Sequence, residues 1–293
     1  MLESSVLPTD LQAKRDRLLA LLCEMRRVVV AYSGGIDSTL VAKAAFLALG
    51  DRAVAVTADS PSVPRSEIEE AQTIARKIGI PHRLVSTEEF ANSDYVKNDG
   101  TRCYHCKDEL YRRIEGLLPM LDSEVICSGA NLDDLGDYRP GLIAAAEHKI
   151  RHPLQEAGFT KADVRALALH WDLPTWDKPA SPCLSSRVAP GVTVTPERTA
   201  RIEAAEAYLK KLGYREFRVR LHEGELARIE VPADGLAKLA DPQVCVDLVR
   251  HLKSLGFRFV TLDLEGFRSG SLNELVPLEM RVRNRATLGG TAK

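Results

Sequence analysis

From Val28 to Ser38 the chain reads Val-Val-Val-Ala-Tyr-Ser-Gly-Gly-Ile-Asp-Ser, and no other stretch limits the fold as tightly. An apolar, β-branched run of this length reads as a buried strand. It breaks at Gly34-Gly35 and continues as Ser38-Thr39-Leu40-Val41-Ala42-Lys43, the opening of a helix. A Gly-rich turn between strand and helix presents backbone N–H groups at the positive end of a helix dipole, which suits phosphate. The glycines let the backbone approach an anion with no Cβ in the way, while Ser33 and Ser38 add hydroxyl donors.

The turn has no Gly-Lys-Ser/Thr, so it is not a Walker loop with a lysine for the β- and γ-phosphates. Nor is it a Gly-x-Gly-x-x-Gly dinucleotide turn. Ser33–Ser38 resembles the PP-loop of ATP pyrophosphatases, enzymes that cleave ATP between its α- and β-phosphates and leave AMP on a substrate. That resemblance implies ATP, with Mg²⁺, at Ser33, Gly34, Gly35, Asp37 and Ser38.

A chain of 293 residues has room for one large domain or two modest ones. Forty basic against forty-one acidic side chains leave a formal net charge of -1. No long-range field draws such a chain to nucleic acid or an anionic membrane, so any anion site is local. No apolar run approaches the ~18 residues of a membrane span, and the opening Met-Leu-Glu-Ser-Ser does not read as a signal peptide. Six cysteines in this length do not make a disulfide scaffold, and a reducing cytoplasm is expected.

Residues 9–25 read as an amphipathic helix on Leu11, Leu18, Leu19 and Leu22, with Cys23 among them as a small buried hydrophobe. Further strands are expected at 53–58, 82–86 and 124–128, with helices at 65–79, 104–118 and 160–171, the last capped by Thr160. This alternation argues for a doubly wound, mainly parallel α/β sheet. Ligands of such sheets sit beyond the carboxyl ends of the strands, here around Ser33, Asp59 and Ser128. The polar loop 131–141 follows directly. It is either a solvated connector or a holder of ribose and Mg²⁺ through Asn131 and Asp133.

The composition changes at 174–187, which carries three prolines, one cysteine and no periodicity; such a stretch serves as linker, functional loop or both. A second unit opens with Thr195-Pro196, an N-cap followed by Pro at the first helical position. Glu206 falls beside the apolar stripe of that helix and Glu203 away from it. Phe217–Leu221 alternates as a strand, placing Arg218 and Arg220 on one face, roughly 6–7 Å apart. Two guanidinium forks at that spacing can grip a phosphate, although strand arginines are common without a ligand. The expected organisation is a nucleotide domain over 1–180, an active-site loop and linker over 181–194, a smaller α+β domain over 195–270, and a loosely ordered tail over 271–293.

Cys103-Tyr104-His105-Cys106 is a Cys-x-x-Cys at a helix start, where both sulfurs share a face. A redox pair, a zinc half-site and, with Cys183, three ligands of an iron–sulfur cluster all answer to that spacing.

Ser33–Ser38, Asp137–Gly141, Lys178–Arg187, Ala204–Glu206, Arg218–Arg220 and Thr261–Gly270 together resemble the LarE-type sulfur transferases, which act in making the nickel-pincer nucleotide cofactor of lactate racemase. The resemblance covers nearly the whole chain. It implies that a carboxylate of pyridinium-3,5-biscarboxylic acid mononucleotide attacks the α-phosphorus of ATP, and that sulfur then displaces AMP to leave a thiocarboxylate. Arg218 and Arg220, with Ser186 and Arg187, would hold the substrate's own phosphate. A carboxylate matching Glu206 belongs to the family's site, with a divalent metal as one reading of its role. The well-known members sacrifice one cysteine, which becomes dehydroalanine, and carry an aromatic residue where this chain has Cys103. Cys103, Cys106 and Cys183 instead match members whose [4Fe-4S] cluster carries an extra sulfide, and that route is the one favoured here. The resemblance further implies a homo-oligomer, with a hexamer as one form, and dealings with a sulfur donor and a nickel-inserting enzyme.

Three other readings compete. A tRNA-thiolating PP-loop enzyme would share the adenylation, but RNA enzymes show a basic stripe or an added domain, and this chain is neutral. An amide-forming ligase would leave the three cysteines idle. A nucleotide-sensing module would bind ATP without releasing pyrophosphate.

Overall fold

The structure is a computed structural model and describes residues 7–136, 140–268, 272 and 275. Residues 137–139 of the family motif, and all of the expected tail except 272 and 275, lie outside the described residues. In chain order the elements are α1 (Thr9–Glu24), β1 (Val28–Ala31), α2 (Ile36–Leu49), β2 (Ala53–Asp59), α3 (Arg65–Ile78), β3 (His82–Ser86), α4 (Ser93–Val96), α5 (Arg102–Leu117), β4 (Val125–Cys127), α6 (Pro140–Glu147), α7 (Pro153–Glu156) and α8 (Lys161–His170). There follow α9 (Pro196–Lys211), β5 (Arg218–His222), β6 (Leu226–Glu230), α10 (Leu236–Leu239), α11 (Pro242–Ser254) and β7 (Phe259–Leu262). No helix of the described residues is long and apolar enough to cross a membrane.

The first compact unit takes the described residues up to Glu88 together with Tyr104–Ser181. Its four strands are all parallel, in the order β3-β2-β1-β4. Strand alternation sends Val28, Val30, Ala53, Ala55 and Cys127 into one core with α1, α2 and α8. Val29, Val56 and Ile126 point the other way, onto Leu110, Tyr111 and Ile114 of α5 and Ala144 and Ala145 of α6. Both faces are covered, which is why the central strands read as unbroken apolar runs. The expected α/β sheet is present. Thr160 caps α8 through a reciprocal box with Asp163.

Cys23 departs from expectation, because it is exposed. Leu11, Leu18 and Leu22 form the buried stripe of α1, and the next residue is rotated about 100° off it.

The second unit joins residues 89–103 to the described residues from Pro182 onward. The expected first domain, drawn unbroken over 1–180, therefore loses an internal segment. The cause is a set of contacts between positions some ninety apart: the Asn98 side chain donates to the carbonyls of Val188 and Ala189, and Tyr95 Oη meets Ser185 Oγ at 2.7 Å. Periodicity carries no trace of such pairings. The sheet of this unit is β5-β6-β7, a hairpin with β7 added parallel to β6. Helix α9 starts at the Thr195 cap and buries Ile202, Ala205, Leu209 and also Glu206.

Helix α5 is strapped to the residue that follows α6. His148 Nδ1 lies 2.9 Å from Glu115 Oε1 and its Nε2 3.0 Å from Asp108 Oδ1, a carboxylate that Arg112 also holds. Burial opposes the charge on the ring, but the two carboxylates outweigh it and raise its pKa above 6.5. A group whose folded pKa is raised stabilises fully below its unfolded pKa and ceases to do so as pH climbs through the folded value. Melting temperature should therefore fall more between about pH 6 and about pH 9 in the wild type than in His148→Gln. Parallel slopes in the two proteins would refute the strap.

Candidate active site

At the carboxyl end of β1 the backbone leaves the sheet under tight constraint. Tyr32 is buried, its hydroxyl donates to Ala71 O at 3.2 Å, and burial pushes its pKa up to about 12. Gly34 follows with φ +71°, and a Cβ there would stand 2.9 Å from Ala71 Cβ, so both conformation and space demand glycine. Ser33 and Ser38 lock the turn across its mouth. Their hydroxyls lie 3.1 Å apart, Ser33 N donates to Ser38 Oγ at 3.2 Å, and Gly35 N donates to Ser33 Oγ at 3.3 Å. Helix α2 then begins at Ile36 with no side chain capping it. Its first N–H groups have no partner within the helix and sit at the positive dipole end.

The chain beyond β4 presses on this helix start. A Cβ at Gly129 would fall 2.6 Å from Ser38 N and 2.8 Å from the Asp37 carbonyl carbon. Asn131 comes next and is buried. Its amide donates to Asp37 Oδ1 at 3.0 Å, its side-chain oxygen accepts from Asp133 N at 3.0 Å, and its own N–H donates to Asp134 Oδ2 at 2.9 Å. Asp133 in turn accepts the Lys161 N–H at 2.8 Å, at the amino end of α8. The side chains of Asn131 and Asp133 are thus engaged in ordering the loop, where nucleotide contact was expected of them.

The same α8 supplies what the loop lacks in sequence. Lys161 Nζ reaches Asp37 Oδ2 at 2.5 Å, a cation delivered from 124 positions along the chain. The pair is partly exposed, so it adds only about 0–1 kcal/mol to the fold. Its more telling effect is a movable positive charge beside the anion-binding turn. Nothing local in the sequence marks Lys161 apart from other helix-opening lysines.

The second unit carries the other candidate residues. Cys183, half-buried, precedes a short 3-10 turn, Leu184–Arg187. Its carbonyl accepts from Ser186 N at 3.0 Å, Ser186 Oγ at 2.7 Å and Arg187 Nη1 at 2.9 Å. Arg187 is buried, and its Nε lies 3.1 Å from Glu206 Oε1, an oxygen that also accepts Val219 N–H at 3.2 Å. Arg187, expected on phosphate, thus braces the Cys183 turn, and Glu206 is engaged with Arg187 and the backbone.

Arg218 and Arg220 share a face as expected, but their electrostatics differ. Arg220 is buried and held by Glu230 Oε2 at 2.8 and 3.0 Å, with Ser186 O at 3.3 Å. Glu230 is wholly buried and also takes Arg228 at 2.9 Å. Arg218 lies over the Phe267 ring at 5.0 Å. Burial, and then the neighbouring Arg187, lower its pKa from 12.5 to about 10. Glu206 and Glu230 act the other way and favour its charged form. The hairpin register offered the one missed signal, for it sets Glu230 directly across from Arg218.

Cys103 and Cys106 stand three apart in the first turn of α5, the former exposed and the latter half-buried. Cys103 and Cys183 belong to the second unit, and Cys106 is counted with the first. Cys127 is in the core, and burial raises its thiol to about 12, so it is no nucleophile. Among the described residues no three His, Cys, Asp or Glu side chains are gathered to hold a metal ion. Three thiols are the ligand chemistry that an iron–sulfur cluster asks for.

A family model described as NAD synthase matches residues 20–109. Over 267 residues, 90% of this chain and 95% of the relative, the chain is 43% identical to a pyridinium-3,5-bisthiocarboxylic acid mononucleotide synthase of Lactiplantibacillus plantarum. The chain belongs to the LarE-type sulfur transferases. An uncharacterised protein of Synechocystis is 46% identical over 91% of this chain and 99% of its own. The tRNA-specific 2-thiouridylase MnmA of Azorhizobium caulinodans is 31% identical over 53% of this chain and 49% of its own. Like the rest of the LarE type, this is an ATP-dependent enzyme of the PP-loop superfamily.

Two substitutions test the nucleotide side of the site. Gly129→Ala should weaken ATP binding about tenfold or more, because the new methyl displaces the start of α2; unchanged affinity in calorimetry would show the approach to be looser than described. Lys161→Met should leave the melting temperature within a few degrees yet lower pyrophosphate release at least about tenfold, as expected when a cation near developing phosphate charge is removed. Full activity in that variant would remove Lys161 from the site.

Proposed function

We propose that this enzyme adenylates a carboxylate of pyridinium-3,5-biscarboxylic acid mononucleotide and replaces AMP by sulfur. The observation that carries the reading is that the Cys183 turn and the arginine cluster form one hydrogen-bonded assembly, through Arg187–Glu206–Val219 and Ser186–Arg220. A thiol is thereby built onto an anion site, in a chain whose other unit carries a pyrophosphate-binding turn.

The substrate carboxylate attacks the α-phosphorus of ATP, and Mg²⁺ enters with the triphosphate. The N–H groups at the start of α2, with Ser33, Ser38 and Lys161, receive the charge that gathers on the departing pyrophosphate. Arg218 holds the substrate's own phosphate, so binding remote from the reaction orients the acyl-adenylate. Sulfur presented at Cys183 then attacks the carbonyl carbon and AMP leaves. In the cluster-dependent route Cys103, Cys106 and Cys183 would hold a [4Fe-4S] cluster, which would supply an exchangeable sulfide. In the sacrificial route Cys183 itself yields its sulfur. Homo-oligomer formation and a cytoplasmic location accompany this reading.

The test is anaerobic incubation with ATP and the dicarboxylated nucleotide, followed by intact mass of product and protein. The expected results are a thiocarboxylate, an unchanged protein mass and iron that Cys103→Ala abolishes. A colourless protein that loses ~34 Da at Cys183 assigns the sacrificial route instead. Absence of any thiocarboxylate with either preparation overturns the function.

A further inference from the structure

Segment 89–103 belongs to the second unit and carries a buried polar network of its own. Asn98 is 2% exposed and has φ +56°, in the left-handed region. Its Nδ2 donates to the carbonyls of Val188 at 3.2 Å, Ala189 at 2.8 Å and Val192 at 3.0 Å, while its own carbonyl accepts Gly191 N–H at 3.1 Å. Its Oδ1 accepts from Arg102 Nη1. That guanidinium also donates to Ser185 O at 2.7 Å, and the hydroxyl of the same serine meets Tyr95 Oη at 2.7 Å.

The positions of these groups matter. Arg102 immediately precedes Cys103 and opens α5, and Ser185 is the second residue after Cys183. One guanidinium therefore joins the backbone beside one thiol to the turn beside the other, over eighty positions apart in the chain. Arg187 grips the near end of the same turn at the Pro182 and Cys183 carbonyls, so the Cys183 backbone is braced on both sides. Among the hydrogen bonds described, the buried Val188 carbonyl is served by Asn98 alone and would go unsatisfied without it. A thiol that must meet a short-lived acyl-adenylate gains from such fixing, since misplacement by about 1 Å can slow a reaction a hundredfold.

Resting on the function proposed above, we infer that Asn98 and Arg102 are positioning residues for the sulfur step, fastening the Cys183 turn to the start of the Cys103 helix. Both side chains are committed to the backbone around the Cys183 turn, so the sulfur step should respond to their loss more than adenylation does.

The experiment uses the full chain, prepared anaerobically, as Asn98→Gly, Arg102→Met and Arg102→Lys. Glycine retains the left-handed backbone and removes only the side chain. Lysine keeps a charged donor able to reach one of the two acceptors. ATP–pyrophosphate exchange driven by the dicarboxylated nucleotide reads adenylation, and single-turnover thiocarboxylate formation reads sulfur transfer. Exchange should stay within about twofold of wild type, while thiocarboxylate formation falls at least about tenfold in Asn98→Gly and Arg102→Met and recovers partly in Arg102→Lys. Wild-type rates of sulfur transfer in Asn98→Gly or Arg102→Met overturn the assignment. So does a parallel fall of both steps together with the melting temperature, which marks a role in folding alone. A wild-type protein with neither exchange nor product overturns the functional reading, and this assignment with it.

Discussion

The turn from β1 into α2 is pinned at two points where no side chain fits. Gly34 lies against Ala71 on one side, and Gly129 lies against Asp37 and Ser38 on the other. Everything proposed for ATP depends on that pinning. The cap position is Gly35, which has no side chain to take the first N–H groups of the helix. The turn is preorganised as well, because the hydroxyls of Ser33 and Ser38 bond to each other and to the loop backbone before any ligand arrives.

Charge is handled in two ways. Around the PP-loop, Lys161 and Asp37 form a partly exposed pair of small net worth, one that a phosphate can rearrange at little cost. In the second unit the pairs are buried, and Glu230 and Glu206 each neutralise an arginine that would otherwise be expensive to desolvate. Arg218 instead has its pKa lowered, by burial first and then by the neighbouring Arg187. Two arginines on the same strand face thus differ in their electrostatic surroundings.

Much of this was legible in the chain. The triple valine, the Gly-Gly break, the Thr160 and Thr195 caps and the inward Glu206 all express local periodicity or capping chemistry. Family resemblance supplied the chemistry that spacing alone left open. What escaped were the non-local pairings: Lys161 on Asp37, Glu230 behind Arg220, and the Asn98–Arg102 network that takes 89–103 out of the nucleotide unit. Cys23 was misjudged because it is one position off the stripe, where a helix has already turned.

The account holds that one unit activates a carboxylate and that Cys183 acts only afterwards. The most direct measurement is isotope exchange between pyrophosphate and ATP in the Cys183→Ala protein. The account predicts exchange that depends on the dicarboxylated nucleotide and runs at the wild-type rate, with no thiocarboxylate formed. Exchange that vanishes with the thiol, or that proceeds without the nucleotide, would contradict it.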